Sequence, residues 1–440
     1  MNRHYPCIII GGGAAGLILA SRLNLRSTGK SGLIIEATGS FGTKLRMSGA
    51  GHCNFTHVGS IKEMVPCYGA NGKSVRKVLY RYNNEAFRDY LAENGLPSFA
   101  REDGRVFPQS EQSEDVRHML MDRAKDNGFR LVSNSPVTKI FREDDVWKIQ
   151  CRKDNISADN HSVTASYDYS TDHLVIATGG KSYPSTGSNG RMWKMLSEEL
   201  SITIESPRPA LAPISVTDYP FAMLSGLSFS DTELSITSIG RKKVSRRGAL
   251  LLTHRNFSGP AALNLCSEAY PGDTLHINYA PDYSTAQVQE ILTKEFNRAK
   301  GTPAKIMAEC FALPKRFCEE ILRQRFGVAP SGNQKDSFQG ISPKKLSIIL
   351  TDDTYSVSEL PDWNMAMATR GGITLSQIQL ATMEFKEHAR LYAIGEALDV
   401  DGLTGGYNLQ FAFSSASVCG EEILRHLTLS SSCSAKSSRA

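Results

Sequence analysis

The sequence predicts an α/β fold organised around a dinucleotide-binding strand–turn–helix unit at its start, and three observations carry that prediction. A short apolar run, Cys7 to Ile10, reads as a buried strand and leads straight into Gly11-x-Gly13-x-x-Gly16. Leu17, Ile18, Ala20, Ser21 and Leu23 continue at helical spacing. A second apolar run, Leu33-Ile34-Ile35, ends in Glu36, twenty residues after Gly16. Such a glycine pattern is weak alone and gains its meaning from the strand before it and the helix after it. Gly11 permits the tight turn, Gly13 lets backbone approach a pyrophosphate, and Gly16 lets helix and strand pack closely. The helix N-terminus offers free N–H groups and a positive dipole end to that pyrophosphate. Glu36 stands where a carboxylate accepts hydrogen bonds from a ribose hydroxyl.

Composition bounds the rest. At about 100–200 residues per domain, 440 residues allow two or three domains. Hydrophobic residues make up 40% and charged residues 22%, as in a water-soluble globular protein. No apolar stretch approaches the roughly 20 residues that cross a bilayer. Ile8–Ile10 is too short for a signal peptide core and runs into the glycine turn. Nine cysteines, without a CxxC pair or Cys/His metal spacing, predict reduced thiols, no metal and a cytoplasmic location. A net charge of +5 does not by itself call for nucleic acid.

Residues 38–57 hold four glycines among small polar residues and show neither period, which predicts a loop. The loop leaves the C-terminal edge of the sheet, where ligands of open α/β sheets bind, so Lys44, Ser48, His52, Cys53 and Asn54 are expected to face a cofactor. Residues 73–94 and 113–127 read as helices, with a hairpin-like turn over Arg101–Pro108 between them. Short strands alternate over 130–178, with a polar, loose β-connection over 152–170. Leu174-Val-Ile-Ala-Thr178-Gly179-Gly180 then reads as a buried strand that returns to the nucleotide crevice, as in flavoproteins of the two-dinucleotide-fold type. A helix follows over about 191–200.

Composition shifts near residue 201, where Pro207, Pro209 and Pro213 interrupt any helix. Short strands at 214–217, 232–239 and 249–253 suggest an antiparallel β-domain. The basic run Arg241–Arg247 is read as a solvated hairpin tip, with contact to a polyanion as the alternative. Ser258 is expected to cap a helix that Pro260 opens. Residues 285–328 read as a small helical subdomain, 330–338 as a polar linker, and Leu346–Leu350 and Tyr355–Ser358 as strands. Leu391-Tyr-Ala-Ile-Gly395-Glu396 reads as a strand ending where flavoproteins hold the ribityl and phosphate part of FAD. A helix is predicted from Tyr407, after two glycines, with its dipole aimed at the negative side of a reduced flavin. The Ser-rich tail 429–440 is expected to lack structure.

These blocks together resemble the bacterial BaiN/YhiN-like, or aminoacetone oxidase-like, FAD-binding proteins. The resemblance spans about residues 5–425. It rests on Gly11–Gly16, Lys44 with Ser48–Asn54, Gly104–Pro108, Ala177–Pro184, Thr253-His254 with Ser258–Pro260, Thr382–Glu384, Gly395-Glu396 with Leu398–Gly402, and Gly405–Gln410. It implies an FAD-binding domain split over 1–194 and 366–428. A β-barrel-like domain over 195–280 and 336–365 and the helical subdomain 281–335 are inserted into it. The expected cofactor-binding positions are Gly11, Gly13, Ala14, Ala15, Gly16, Glu36, Ala37, Lys44, Ser48, Asn54, Val137, Thr178, Gly179, Gly180, Gly395, Glu396, Asp399, Gly406, Tyr407, Asn408 and Leu409. Three positions depart from the family's pattern. His52 stands where Arg is usual, Asn256 where Gly is usual, and Phe385 where a small or polar residue is usual. His52 replaces a permanent charge by a titratable one.

The functional expectation is an FAD-dependent oxidoreductase acting on a small organic substrate held between the flavin and the inserted domain. One form is a reductase of an activated C=C bond using NAD(P)H. No second strand–GxGxxG–helix unit exists in the middle of the chain, so the nicotinamide would approach the flavin transiently. The other form is an O₂-using amine or amino-ketone oxidase. An FAD-dependent nucleic-acid-modifying protein and a non-catalytic flavin-binding scaffold are the remaining readings. His254, His52 and Cys53 are the candidate catalytic residues. No membrane, nucleic-acid or obligate protein partner is expected.

Overall fold

The computed structural model describes residues 3–156, 162–298, 300–328 and 338–437. Residues 330–337 of the expected polar linker lie outside the described residues. The chain forms two compact units, Met1–Arg208 with Ala368–Ala440, and Pro209–Met367.

Among the described residues, the first unit carries a nine-stranded mixed sheet. Its centre is a run of five parallel strands: Leu391–Ala393, Ser162–Ile176, Arg3–Ile10, Gly32–Ile35 and Phe129–Val132. Fully apolar stretches such as Ile8–Ile10 suit strands covered on both faces. The register is decisive for function. Ile10 pairs with Ile35 and Ile176, Ile35 with Val132, and Ile176 with Ala393. The five strands therefore end on one line, and the segments after them emerge at a single edge. Ala14–Arg22 forms the helix after the glycine turn, with Leu17, Ile18 and Leu19 buried. The closing helix Tyr407–Ser437 packs against it.

Several expectations are corrected. Residues 38–57 contain a short helix at Thr43–Arg46 and a 3₁₀ turn at Ser48–Gly51 rather than irregular chain alone. The helical stretch 73–94 is two helices, Gly72–Arg81 and Asn84–Glu93, parted where the Asn83 side chain caps the second. The connection over 152–170 belongs mostly to two long paired strands, Val146–Ile156 and Ser162–Ile176. The closing helix continues past residue 429 to Ser437, where loss of structure was expected.

In the second unit, six antiparallel strands run in the order Ile214–Ser215, Asn256–Ser258, Arg241–Leu252, Ser228–Ser238, Thr274–Asn278, Asp353–Ser356. The two edges meet, because Thr217 N donates to Ser356 O at 2.9 Å and Ser358 N to Ser215 O at 3.1 Å. The sheet thus closes on itself, which leaves no free edge there. The helices Thr285–Arg298, Pro303–Phe311 and Lys315–Phe326 share one apolar core with this barrel. Phe317 sits 4.8 Å from the Phe229 ring and 4.5 Å from Tyr279. Leu346–Leu350, expected as a strand, lies in the helix Pro343–Thr351, capped by the Ser342 side chain. The helix opened by Pro260 has Gly259, not Ser258, at its cap. Asn256 begins a strand and does not adopt a left-handed backbone, so nothing at this position requires the family's glycine. Phe385 fills a buried place in the first unit's core.

Candidate functional site

The edge where the five parallel strands end collects most of the expected site. Gly11 follows the first strand with φ +106°, and a Cβ there would lie 2.4 Å from Ala177 O. At Gly16 a Cβ would lie 2.1 Å from Gly11 O. These two glycines are required by packing. Gly13 differs, since a Cβ there meets nothing within 4 Å. It faces open space at the N-terminus of Ala14–Arg22, a helix with no side-chain cap and no acidic residue in its first turn. The turn thus presents bare backbone and a positive dipole end.

Glu36, only 8% exposed, follows the second strand. Its carboxylate accepts from Gly12 N and Thr38 N, each at 2.8 Å, so it braces the glycine turn. A Cβ on Gly187 would come 3.3 Å from Glu36 Oε1, which puts the 179–188 loop beside that carboxylate. In that loop Ser188 Oγ is buried without a hydrogen-bond partner. It lies 3.1 Å from the position of a Cβ on Gly179, itself at φ +68°. Ala37 is exposed next to Glu36, and Val137 is buried at the start of its strand.

A polar cluster closes the other side. Glu396 follows the strand Leu391–Ala393 through Gly395, whose φ of +62° and close approach to Ala15 leave no room for a side chain. Glu396 Oε1 accepts from Thr369 N at 2.8 Å and from Ser182 Oγ at 3.0 Å. Glu396 Oε2 accepts from Lys44 Nζ at 2.6 Å, and Lys44 also donates to Ser182 Oγ. Thr369 Oγ1 in turn accepts from Lys181 N and Ser182 N at 2.8 and 3.1 Å. Four distant segments are tied at one carboxylate. Ser182 lies within the Ala177–Pro184 block, but neither it nor Ser188 nor Thr369 was expected as a site residue. An orphaned or doubly bonded hydroxyl has no sequence signature.

Other expected site residues serve the backbone. Asn54 Nδ2 donates to Thr56 O and Val106 O at 2.9 and 3.0 Å. Ser48 Oγ donates to Leu45 O at 2.7 Å. Asp399 accepts from Gly371 N and Asn71 Nδ2, both at 3.0 Å. Asn408 clamps Gly402, accepting from its N–H at 2.8 Å and donating to its carbonyl at 2.9 Å. Gly406 lies against Thr56, where a Cβ would be 2.6 Å from backbone atoms. Tyr407 opens the closing helix and stacks on His57, with centroids 5.4 Å apart. Its backbone carbonyl accepts from Tyr68 OH at 2.8 Å. Leu409 packs on the apolar core.

The catalytic expectations divide. Cys53 is 0% exposed, and burial pushes its thiol up to about 12. A thiolate is the reactive form, and burial favours the neutral thiol here. His52 is exposed, with Nδ1 3.1 Å from Glu111 O. His254 is exposed in the second unit.

The crevice fits a dinucleotide on three counts: an open, uncapped helix N-terminus at Gly13, the buried Glu36 carboxylate at the end of the second strand, and an orphaned buried hydroxyl at Ser188. Among the described residues no helix is long and apolar enough to cross a membrane.

Comparison with known proteins agrees. A ribosomal RNA dihydrouridine synthase of Haemophilus influenzae is 31% identical, over 97% of this chain and 100% of that protein. One of Escherichia coli is 28% identical over 96% and 98%. A 3-dehydro-bile acid delta(4,6)-reductase of Clostridium scindens is 25% identical over 94% and 97%. The family model described as the HI0933-like protein Rossmann domain matches residues 5–422, and the chain belongs to that family as an FAD-dependent oxidoreductase.

Proposed function

We propose that the protein adds hydrogen across a conjugated C=C bond, and that this bond is C5=C6 of a uracil in ribosomal RNA. One observation carries the reading: a relative matched over its whole length is named a ribosomal RNA dihydrouridine synthase. Dihydrouridine differs from uridine by two hydrogens at that bond. The bond is conjugated to the C4 carbonyl, so C6 accepts hydride and C5 accepts a proton. This joins the activated-C=C reductase expected from the sequence to the nucleic-acid substrate that charge alone did not call for.

Bound FAD supplies the two-electron relay from a nicotinamide donor, NADH or NADPH, to that bond. The chain's part is placement. The open N-terminus at Gly13–Ala15 holds the pyrophosphate, and Glu36 takes ribose hydroxyls with its remaining acceptor capacity. Ser188 Oγ and the Glu396 cluster hold the chain between the two nucleotide halves. The N-terminus of the closing helix at Tyr407 offers positive potential where negative charge develops. Cys53, as a neutral thiol, takes no part.

A second reading, reduction of a free small enone, is favoured by the Clostridium scindens relative. The test is anaerobic. Holoprotein reduced by NADPH or NADH is mixed with unmodified ribosomal RNA, a small enone, or buffer, and flavin absorbance is followed. The proposal expects reoxidation by the RNA. Reoxidation by the enone alone supports the second reading. Rapid reoxidation by air, with no gain from either acceptor, sinks both and leaves an oxidase.

A further inference from the structure

The strands Ser228–Ser238 and Arg241–Leu252 form a hairpin closed by the pair Ser238 and Arg241, with only Ile239 and Gly240 in the turn. Gly240 has φ +74°, the left-handed backbone that the second central position of a type II turn requires. Ile239 is 105% exposed, the highest value among the exposed large apolar residues that are described. A tip residue free to vary at no structural cost is normally polar, because turns favour Gly, Asn, Asp and Ser.

Four of the five basic residues around that tip separate into two groups. Arg241 donates to Asp273 at 2.5 Å and to Glu268 O at 3.1 Å, and its guanidinium lies 4.1 Å over the Tyr270 ring. Ser238 also donates to Asp273, so both closing residues are braced to the barrel. Arg247 is paired with Asp231 and Asp282, each at 2.5 Å. These two charges are spent inside the unit. Lys242 and Lys243 are exposed, and among the described residues neither has an acidic partner. The register steps from Ile236–Val244 to Ser238–Arg241, so both lysines oppose Thr237 alone. That is a β-bulge, which bends the strand and re-aims its side chains. The result is a rigidly braced tip that offers one bare apolar side chain beside two unneutralised cations.

We propose that this tip docks the RNA substrate, with Lys242 and Lys243 on phosphates and Ile239 packed against or between bases. The inference rests on the ribosomal-RNA reading above. Apolar side chains flanked by cations are how proteins wedge between stacked bases, and unpaired lysines bind phosphates by releasing counterions. A small-molecule substrate has no use for the tip, so the two substrate classes are separable by mutation.

The test compares wild-type holoprotein with the surface variants I239S and K242E/K243E. Three quantities are measured: retention of a ribosomal RNA fragment against salt, dihydrouridine formation at sub-saturating RNA, and nicotinamide-driven reduction of a small artificial acceptor. The expected result is RNA affinity lowered at least tenfold in K242E/K243E and about threefold in I239S. The salt slope should fall by about 1–2, with acceptor reduction unchanged. RNA binding and modification equal to wild type in both variants would overturn the proposal. So would loss of acceptor reduction in parallel, since the tip would then act through the fold. Retention of the wild-type tip by anionic vesicles but not by RNA would assign it to a lipid surface and also overturn it. If wild type itself forms no dihydrouridine yet reduces the acceptor, the ribosomal-RNA reading fails, which is distinct from failure of the tip.

Discussion

The Lys44 ammonium donates to the Glu396 carboxylate at 2.6 Å, joining residues 352 positions apart in the chain. The side chains are 25% and 19% exposed, so the pair is partly desolvated and removing one partner strands the other charge. K44M is expected to lower stability by about 1–3 kcal/mol, less than a fully buried pair would lose. It should weaken FAD binding at least tenfold, because Glu396 holds Ser182 and Thr369 in place. Urea unfolding of the apoprotein and flavin fluorescence titration check the two effects. K44R, which keeps the charge, should restore most of the stability.

The three glycines of the opening turn should separate by function. A Cβ at Gly16 collides with Gly11 O, whereas one at Gly13 enters open space. G16A is expected to destabilise the apoprotein by at least about 2 kcal/mol, as overpacking of a tight contact does. G13A should leave apoprotein stability within about 0.5 kcal/mol of wild type and still lose FAD affinity. Equal loss of apoprotein stability in both variants would mean that Gly13 also serves packing rather than the cofactor.

Cys53 should behave as a core residue. Burial holds its thiol near 12 and no surface is exposed. Native protein is expected to leave Cys53 unmodified by iodoacetamide, with labelling appearing only in denaturant. C53A should retain activity within about threefold, at a stability cost of about 1 kcal/mol. Rapid native labelling that abolishes activity would contradict this.

Burial makes His173 a source of acid sensitivity. Its ring, 3.2 Å from Tyr392 OH, has its folded pKa pushed down to about 3 by desolvation, with His426, Arg390 and Lys30 adding to the effect. The unfolded chain binds that proton near pH 6.5. The folded chain does not, so stability is full above about 6.5 and falls as pH drops towards 3. The His173 contribution to the slope is at most about 1.4 kcal/mol per pH unit. H173F should flatten the stability–pH curve between pH 6.5 and 4, read from urea midpoints. Superimposable curves would show that the ring is not buried neutral.

How far the sequence was legible follows from what each signal depends on. The glycine turn, Glu36 and the long apolar strands were readable because each is local: a strand, a turn and a helix in one stretch. The run Leu346–Leu350 misled because four apolar residues around Ser347 fit strand or helix equally, although Ser342 and Pro343 before them were a helix start signal. The basic run 241–247 reads as a solvated hairpin tip, and what it could not show is that Asp231, Asp273 and Asp282 neutralise two of its charges from other parts of the unit. Pairings of that kind, like that of Lys44 with Glu396, are created by the register of strands. Residue types alone also could not tell a side chain facing the crevice from one holding backbone. Asn54, Asp399 and Asn408 have the chemistry of ligand contacts and spend it on carbonyls and amides.

The most direct measurement uses a nicotinamide donor deuterated at its reactive carbon, holoprotein and unmodified ribosomal RNA, followed by nucleoside mass spectrometry. The expected product is a nucleoside heavier than uridine by the added hydrogens. Its yield should track nicotinamide consumed, and FAD-depleted protein should give none. Nicotinamide consumption with FAD present and no reduced uridine in the RNA would contradict it.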